Sequence, residues 1–306
     1  MKPGKVLCSF QFVLIICFFQ SATAQISPVA DIFPKGTVTY GNISYANDAD
    51  PKHLLDIYLP AGTKTNLPLI VWIHGGAWMM NDKYADMGYM TNTIKGFIDS
   101  GYALASIDYR HSTTAIFPAQ IQDCNAAIEF LYSHAAEYKL DKNRIAVIGF
   151  SAGGHLASLL ALSNNNAVKD FYKDGQSAAF KIKCAIDFYG PSDLLMFANN
   201  PDTSSNNERS PLAILLGAMP VDRPDLAKKA SPVTYIDKND PPFLIIQGEK
   251  DESVPNTQSK VLSSWLTLTG VKNQLIIVKD APHYGEMFDS EFNRKNIFAF
   301  LAGNLR

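Results

Sequence analysis

A serine set between glycines, where an apolar strand-like run meets a helix-like run, is placed to act as a nucleophile. Gly149-Phe150-Ser151-Ala152-Gly153-Gly154 has this form. A backbone that turns this sharply has no room for side chains two residues before and two after the serine, hence glycine at both places. The turn lifts the hydroxyl above the sheet and points the first N–H groups of the helix at it, where they favour developing negative charge. The string alone is a weak signal, and its position between strand and helix makes it a specific one. Acyl transfer also needs donors where a carbonyl oxygen becomes an oxyanion. His74-Gly75-Gly76-Ala77-Trp78 follows the apolar run Leu67–Ile73. The N–H groups of Gly75 and Gly76, joined by that of Ala152, can form such an oxyanion hole.

The base has six histidines to come from. His53 precedes the first strand pattern, His134 ends a surface helix, and His74 belongs to the oxyanion loop. His155 stands one helical turn after Ser151, so it points along the helix rather than over the hydroxyl. His111 follows a strand end but lies before the serine. His283, in Asp280-Ala281-Pro282-His283-Tyr284-Gly285, follows the last strand pattern. A serine on this kind of turn is followed in the chain first by its acid and then by its histidine, and His283 satisfies that order. The acid is expected in Gly248-Glu249-Lys250-Asp251-Glu252-Ser253-Val254-Pro255. Asp251 has the best loop position to hold the imidazole in its tautomer, with Glu249, Glu252 and Asp193 as alternatives. No His, Cys and acid cluster has metal-ligand spacing, so neither a metal nor a cofactor is expected.

These residues need a scaffold that brings distant loops together. Apolar runs at Leu54–Leu59, Leu67–Ile73, 102–107, 144–150, 183–188, 243–247 and 275–278 read as strands covered on both faces. Helical patterns fall between them. Pro118 opens one as a first helical residue, and Ile121, Cys124, Ile128 and Leu131 give it an apolar face. Others span 152–162, 257–268 and 286–301. The alternation indicates an α/β fold with a mostly parallel central sheet and helices on both faces. The polar stretch 199–229 is too long for a plain connection and reads as a small helical cap insertion over the site. Trp78, Tyr109 and Phe117, near predicted strand ends, are candidate substrate-binding aromatics or core residues.

At 306 residues, with 47% hydrophobic and 18% charged residues and a net charge of -2, the chain suits one catalytic domain over 25–306. It offers nothing for nucleic acid or a polybasic membrane contact. Residues 1–24 read as a cleavable signal peptide. Lys2 and Lys5 precede an apolar run over 6–19, and Ala22-Thr23-Ala24 forms the cleavage site. The run is short for a membrane span, so a secreted or periplasmic location without stable membrane insertion is expected. Secretion permits a disulfide between Cys124 and Cys184. Their places in a helix and a central strand favour buried free thiols.

With these residues in view, the chain resembles the secreted esterases related to hormone-sensitive lipase, in particular the bacterial branch with feruloyl and acetyl-xylan esterase-like proteins. The likeness runs through nearly the whole mature chain. It is carried by the two glycine motifs, by Asp108-Tyr109-Arg110, and by Phe117-Pro118-Ala119-Gln120 with Asp123. It continues through Asp187-Phe188-Tyr189-Gly190-Pro191, Leu215-Leu216-Gly217, Ala230-Ser231-Pro232 and Pro241-Pro242-Phe243. The resemblance implies an α/β-hydrolase fold, a triad of Ser151, Asp251 and His283, and an oxyanion hole at Gly75, Gly76 and Ala152. It also implies hydrolysis of carboxylic esters, with acyl groups on plant polysaccharide or small aromatic or acetyl esters as the expected substrates. Ala77 stands where lipase-like relatives carry a third glycine, which points to a different acyl pocket, and Tyr284-Gly285-Glu286-Met287-Phe288 departs from the Gly-rich continuation of the family. Arylformamidases are similar at the His-Gly-Gly and Ser-Ala-Gly motifs, which keeps amide hydrolysis as the alternative.

Overall fold

The computed structural model describes residues 28–305 apart from 167, 174, 176 and 200–206. The signal-peptide segment 1–24 lies outside the described residues. Eight strands form one sheet: β1 (Val38–Ser44), β2 (Leu54–Leu59), β3 (Leu67–Ile73), β4 (Ala103–Ile107), β5 (Leu140–Phe150), β6 (Ile182–Phe188), β7 (Phe243–Gly248) and β8 (Asn273–Val278). Their order is β1-β2-β4-β3-β5-β6-β7-β8. β1 pairs antiparallel with β2 and β2 antiparallel with β4, and the remaining pairs are parallel. β4 and β7 are buried throughout, as are residues 69–73 of β3, 145–150 of β5 and 184–188 of β6, because helices cover both faces.

The helices are α1 (Thr91–Asp99), α2 (Ala119–Ser133), α3 (Ala152–Ser163), α4 (Leu194–Ala198), α5 (Pro211–Leu216), α6 (Pro224–Ala230), α7 (Thr257–Thr269) and α8 (Glu291–Asn304). On one face α2, α3 and α7 bury Ile121, Ile128, Leu156, Leu160 and Leu262 against Leu69, Val71, Val147 and Ile245. On the other, α1 and α8 bury Ile94, Phe97, Ile297 and Leu301 against Ile70, Ile148, Ile186 and Leu244. Alternate residues of each strand thus feed opposite layers. Cys124 and Cys184 are both buried and free, one in each layer.

Several boundaries differ from the sequence expectation. β1 and α1 carry no clear periodic signal and were not expected. Pro118 is the residue before α2 rather than its first turn. The pattern over 286–301 divides into a 3₁₀ turn, Glu286–Asp289, and α8. Ser290 caps α8 by accepting from the Asn293 N–H at 3.3 Å. The Asp289 carboxylate instead caps α1, accepting from the Asn92 and Thr93 N–H groups at 2.9 Å each. The described part of 199–229 holds α5 and most of α6. Pro211 is the first residue of α5, behind the Ser210 cap.

The polar motifs between strands hold loops in place. Arg110 donates to both oxygens of Asp123, at 2.8 and 2.7 Å. Gln120 donates to the carbonyls of Arg110 and Ala115. Asp187, at the end of β6, is fully buried and accepts from the Ser158 hydroxyl at 2.6 Å and the Gly190 N–H at 2.8 Å. Burial pushes its carboxyl up to about 6. A carboxyl whose pKa is higher folded than unfolded favours folding while protonated. That stabilisation is complete below the unfolded value of 3.8 and is lost as pH rises through about 6. Asp187→Asn keeps an acceptor for Gly190 and a group to pair with Ser158. It is expected to flatten the fall in urea stability between pH 4 and pH 7. Unfolding curves at the two pH values check this, and at pH 7 the variant should gain on the order of 2 kcal/mol.

Candidate active site

Ser151 sits at the crest between β5 and α3 with φ 54 and ψ -117. A non-glycine residue holds such angles only where its surroundings enforce them. Two constraints do so. The Ser151 N–H donates to the Phe188 carbonyl at 2.9 Å, tying the crest to the end of β6. Gly149 and Gly153 allow the chain to close on itself: a Cβ on Gly149 would fall onto the Gly153 carbonyl, and one on Gly153 onto that of Ile73.

His283, in the loop after β8, brings Nε2 to 2.9 Å from Ser151 Oγ. Its Nδ1 lies 2.7 Å from Asp251 Oδ2. Asp251, after β7, has its side chain wholly buried. Its Oδ1 accepts from the Ser253 and Val254 N–H groups at 2.9 and 2.8 Å, and Oδ2 from Gln247 Nε2 at 2.8 Å. A carboxylate so surrounded by donors accepts a hydrogen bond from Nδ1–H as well, which leaves the unprotonated His283 Nε2 to accept from the Ser151 hydroxyl. The structure places Ser151, His283 and Asp251 within hydrogen-bonding distance in that order. None of the other candidate acids contacts His283 among the described residues. Glu249 accepts from the Asp280 N–H, Asp193 caps α4, and Glu252 faces the cavity.

The remaining histidines have other partners. His155 is buried between the Trp78 indole N–H, at 3.1 Å, and the Ala230 carbonyl, at 2.8 Å, and burial holds its pKa down at about 4. His74 donates to the Gly75 carbonyl and stacks on Tyr109 at 4.3 Å; burial lowers it to about 3. Both rings are neutral supports of the loop that carries the glycines.

The oxyanion expectation needs one correction. The Gly75 N–H is already taken, donating to Asp86 Oδ2 at 2.7 Å. The Gly76 and Ala152 N–H groups, by contrast, donate to no protein acceptor among the described residues. Gly76 has φ +118, and a Cβ there would fall onto the Met80 carbonyl, so glycine is required for the loop to curl back. Ala77, next in the loop, also has a positive φ of 52 and lines the cavity. The substrate-binding expectation is corrected too. Tyr109 is fully buried and donates to the His74 carbonyl at 2.9 Å. Phe117 packs edge-on against Phe171 at 5.7 Å. Both are core residues behind the site: Tyr109, just past β4, and Phe117, just before α2, pack into the layer of α2 and α3. Trp78 does line the cavity, with its indole N–H turned away to His155.

The cavity above Ser151 measures about 870 Å³, within the usual size of a small-molecule site. One part of its wall comes from Phe197 in α4 and from Pro211 and Leu212 of the insertion. Another comes from the loops after β7 and β8, through Glu252, Val254 and Tyr284. Among the described residues no group of three or more His, Cys, Asp or Glu side chains is arranged to hold a metal ion. Three wall residues were not read from the sequence: Asp86, Tyr89 and Tyr189. Tyr89 donates to Asp86 Oδ1 at 2.6 Å and pairs with the Tyr189 hydroxyl at 2.8 Å. Tyr189 also packs its ring on His283 at 4.8 Å. Burial raises the Asp86 carboxyl above its ordinary range, opposed by the Gly75 N–H, the Tyr89 hydroxyl and His283. Asp86→Ala is expected to free the Gly75 end of the loop and lower kcat about 10- to 100-fold, less than the loss of a whole oxyanion donor. Asp86→Asn retains an oxygen for Gly75 and should recover most of that loss; kcat and KM for p-nitrophenyl acetate check both.

The BD-FAE family model matches residues 55–266. The chain belongs to the BD-FAE family. The matched span runs from β2 into α7, so it includes both glycine motifs and Asp251 and stops before His283. A truncated form of a carbohydrate esterase from gut microbiota is 32% identical, with TM-score 0.78, over 88% of this chain and 98% of that one. The bifunctional GH43-CE of Bacteroides eggerthii is 36% identical, with TM-score 0.79, over 87% of this chain and 35% of that one. Esterase LipQ of Mycobacterium tuberculosis is 30% identical over 248 residues, 78% of this chain and 55% of LipQ. The chain spans about half the length of the curated relatives it matches. With these neighbours, the sheet order and the helices on both faces make this BD-FAE chain an α/β-hydrolase fold.

Proposed function

We propose that this chain is a serine esterase that hydrolyses carboxylic esters through an acyl-enzyme. The observation that carries the reading is the continuous line Ser151 Oγ, His283 Nε2, His283 Nδ1, Asp251 Oδ2, with steps of 2.9 and 2.7 Å across the ring, at the floor of an open cavity. His283 takes the Ser151 proton as Oγ bonds to the ester carbonyl carbon. The oxyanion forms against the Gly76 and Ala152 N–H groups, and the start of α3 favours its charge. When the tetrahedral species collapses, the carbon–alkoxy bond breaks and the alcohol leaves with the proton from His283. Water, deprotonated by His283, then attacks the acyl carbon and releases the acid and Ser151.

The proposed substrates are acyl groups on plant polysaccharide or small aromatic or acetyl esters. Support comes from the carbohydrate esterase and GH43-CE neighbours and from the mixed apolar and polar cavity wall. The signal-like residues 1–24 support a secreted or periplasmic place of action. Among the described residues no helix is long and apolar enough to cross a membrane. A panel of acetyl, butyryl and feruloyl esters beside formyl-amide substrates tests the reading. Turnover of esters at rates well above those of formamides is expected; formamide turnover without ester turnover would replace this function with amide hydrolysis.

A further inference from the structure

The aromatic residues of the cavity wall differ in one respect. Trp78 is 3% exposed, Tyr189 1% and Phe197 8%, whereas Tyr284 is 65% exposed. Tyr284 follows His283 directly in the chain. Its ring lies 6.2 Å from the imidazole and 6.3 Å from Tyr89, tilted 37° to the latter. It is therefore braced along one side and open to solvent over most of its surface. Glu252 follows Asp251 directly, is exposed and lines the same cavity. Unlike Glu249 and Asp251, which accept from backbone N–H groups, it makes no hydrogen bond within the protein among the described residues.

The chemistry of the reaction says which half of an ester these two residues meet. His283 Nε2 must deliver its proton to the leaving oxygen, so the alcohol has to lie beside His283. The side chains next to it from the loops after β7 and β8 are then on the alcohol side. A different lining, the apolar Phe197 of α4 with Pro211 and Leu212 of the insertion, is suited to the acyl group. An open aromatic face beside an unengaged carboxylate fits an alcohol with an apolar face and hydroxyls at its edge. A pyranose ring has both: axial C–H groups that lie on an aromatic ring, and equatorial hydroxyls that donate to a carboxylate. A fatty alcohol would leave Glu252 facing methylene groups.

We propose that Tyr284 and Glu252 form a leaving-group subsite for a sugar ring, with Tyr284 as the stacking platform and Glu252 as the hydroxyl acceptor. This rests on the esterase reading with its polysaccharide substrates and adds to it the two side chains that would hold the saccharide alcohol. The test compares an acetylated xylo-oligosaccharide with ethyl acetate, which carries the same acyl group and no ring. Wild-type protein is expected to favour the saccharide ester. Tyr284→Ala should lower kcat/KM about tenfold more for the saccharide ester than for ethyl acetate, through KM, an aromatic contact of ordinary strength. Tyr284→Phe, which retains the ring, should keep most of the preference. Glu252→Gln should cost a smaller part of it, again in KM. Equal losses on both esters would assign Tyr284 to the support of His283 and overturn the subsite, as would a wild-type protein that cleaves ethyl acetate and leaves the acetylated saccharide intact. Turnover of neither ester would instead remove the esterase reading itself.

Discussion

Replacing Ser151 with alanine is expected to lower ester turnover by about 10⁴- to 10⁶-fold while the fold persists. The side chain contributes one hydrogen bond to the folded state, to His283 at 2.9 Å. The unusual backbone at 151 is enforced by the Phe188 carbonyl and the close glycines, none of which the substitution touches. Circular dichroism should be unchanged and the melting temperature within a few degrees of wild type. In the proposed mechanism no other group can take over the covalent step. His155 and His74 are buried and neutral, and Cys124 and Cys184 are buried. What activity remains would come from the Gly76 and Ala152 amides acting on a bound ester and water.

Asp251→Asn should be nearly as severe, with kcat down on the order of 10⁴-fold and a smaller change in KM. The reason lies in the donors around the carboxylate. Oδ1 must keep accepting from the Ser253 and Val254 N–H groups, at 2.9 and 2.8 Å. An asparagine oxygen will take that place, because the alternative sets an NH₂ against two N–H groups. The amide nitrogen then faces His283 Nδ1 and donates to it. This moves the ring proton to Nε2, where it points at Ser151 and blocks proton acceptance. The same nitrogen also meets Gln247 Nε2, now 2.8 Å from Oδ2, and Gln247 cannot easily turn because its Oε1 accepts from Ser259 at 2.7 Å. Steady-state kinetics with p-nitrophenyl acetate measure the loss. A rise in activity at high pH without recovery near neutrality is the signature of a misplaced tautomer rather than a disordered loop.

The sequence carries the meeting of Ser151, Asp251 and His283 because each stands just past an apolar run, and parallel strands deliver their carboxyl ends to one edge. It carries the central strands for the same reason: β3, β4, β7 and residues 145–150 of β5 are almost continuously apolar. It does not carry β1, whose exposed residues VTYGNIS show no alternation, or the break before α8. That break depends on Asp289 finding α1, nearly 200 positions away in the chain. Asp86 is invisible for a similar reason. In the sequence it is one acid in a polar loop, and only the fold sets it against Gly75. Its presence is what turns the expected Gly75 donor into an anchored residue. Gln247 left a trace, as the polar residue at the end of a strand otherwise apolar. The aromatics misled because strand-end position does not say which way a side chain faces: Tyr109 and Phe117 enter the helix layer, and Trp78 reaches the cavity. The continuation after the base, 284–288, drew notice as a departure, and Tyr284 within it carries the proposed sugar platform.

A fluorophosphonate forms a stable bond only with a serine whose proton is drawn away by a neighbouring base. Mass spectrometry of the protein treated with such a probe, followed by peptide mapping, should find one adduct per chain at Ser151, with none on Ser151→Ala and very slow labelling on His283→Ala. Folded wild-type protein that stays unlabelled, or that labels at another serine, would contradict the account.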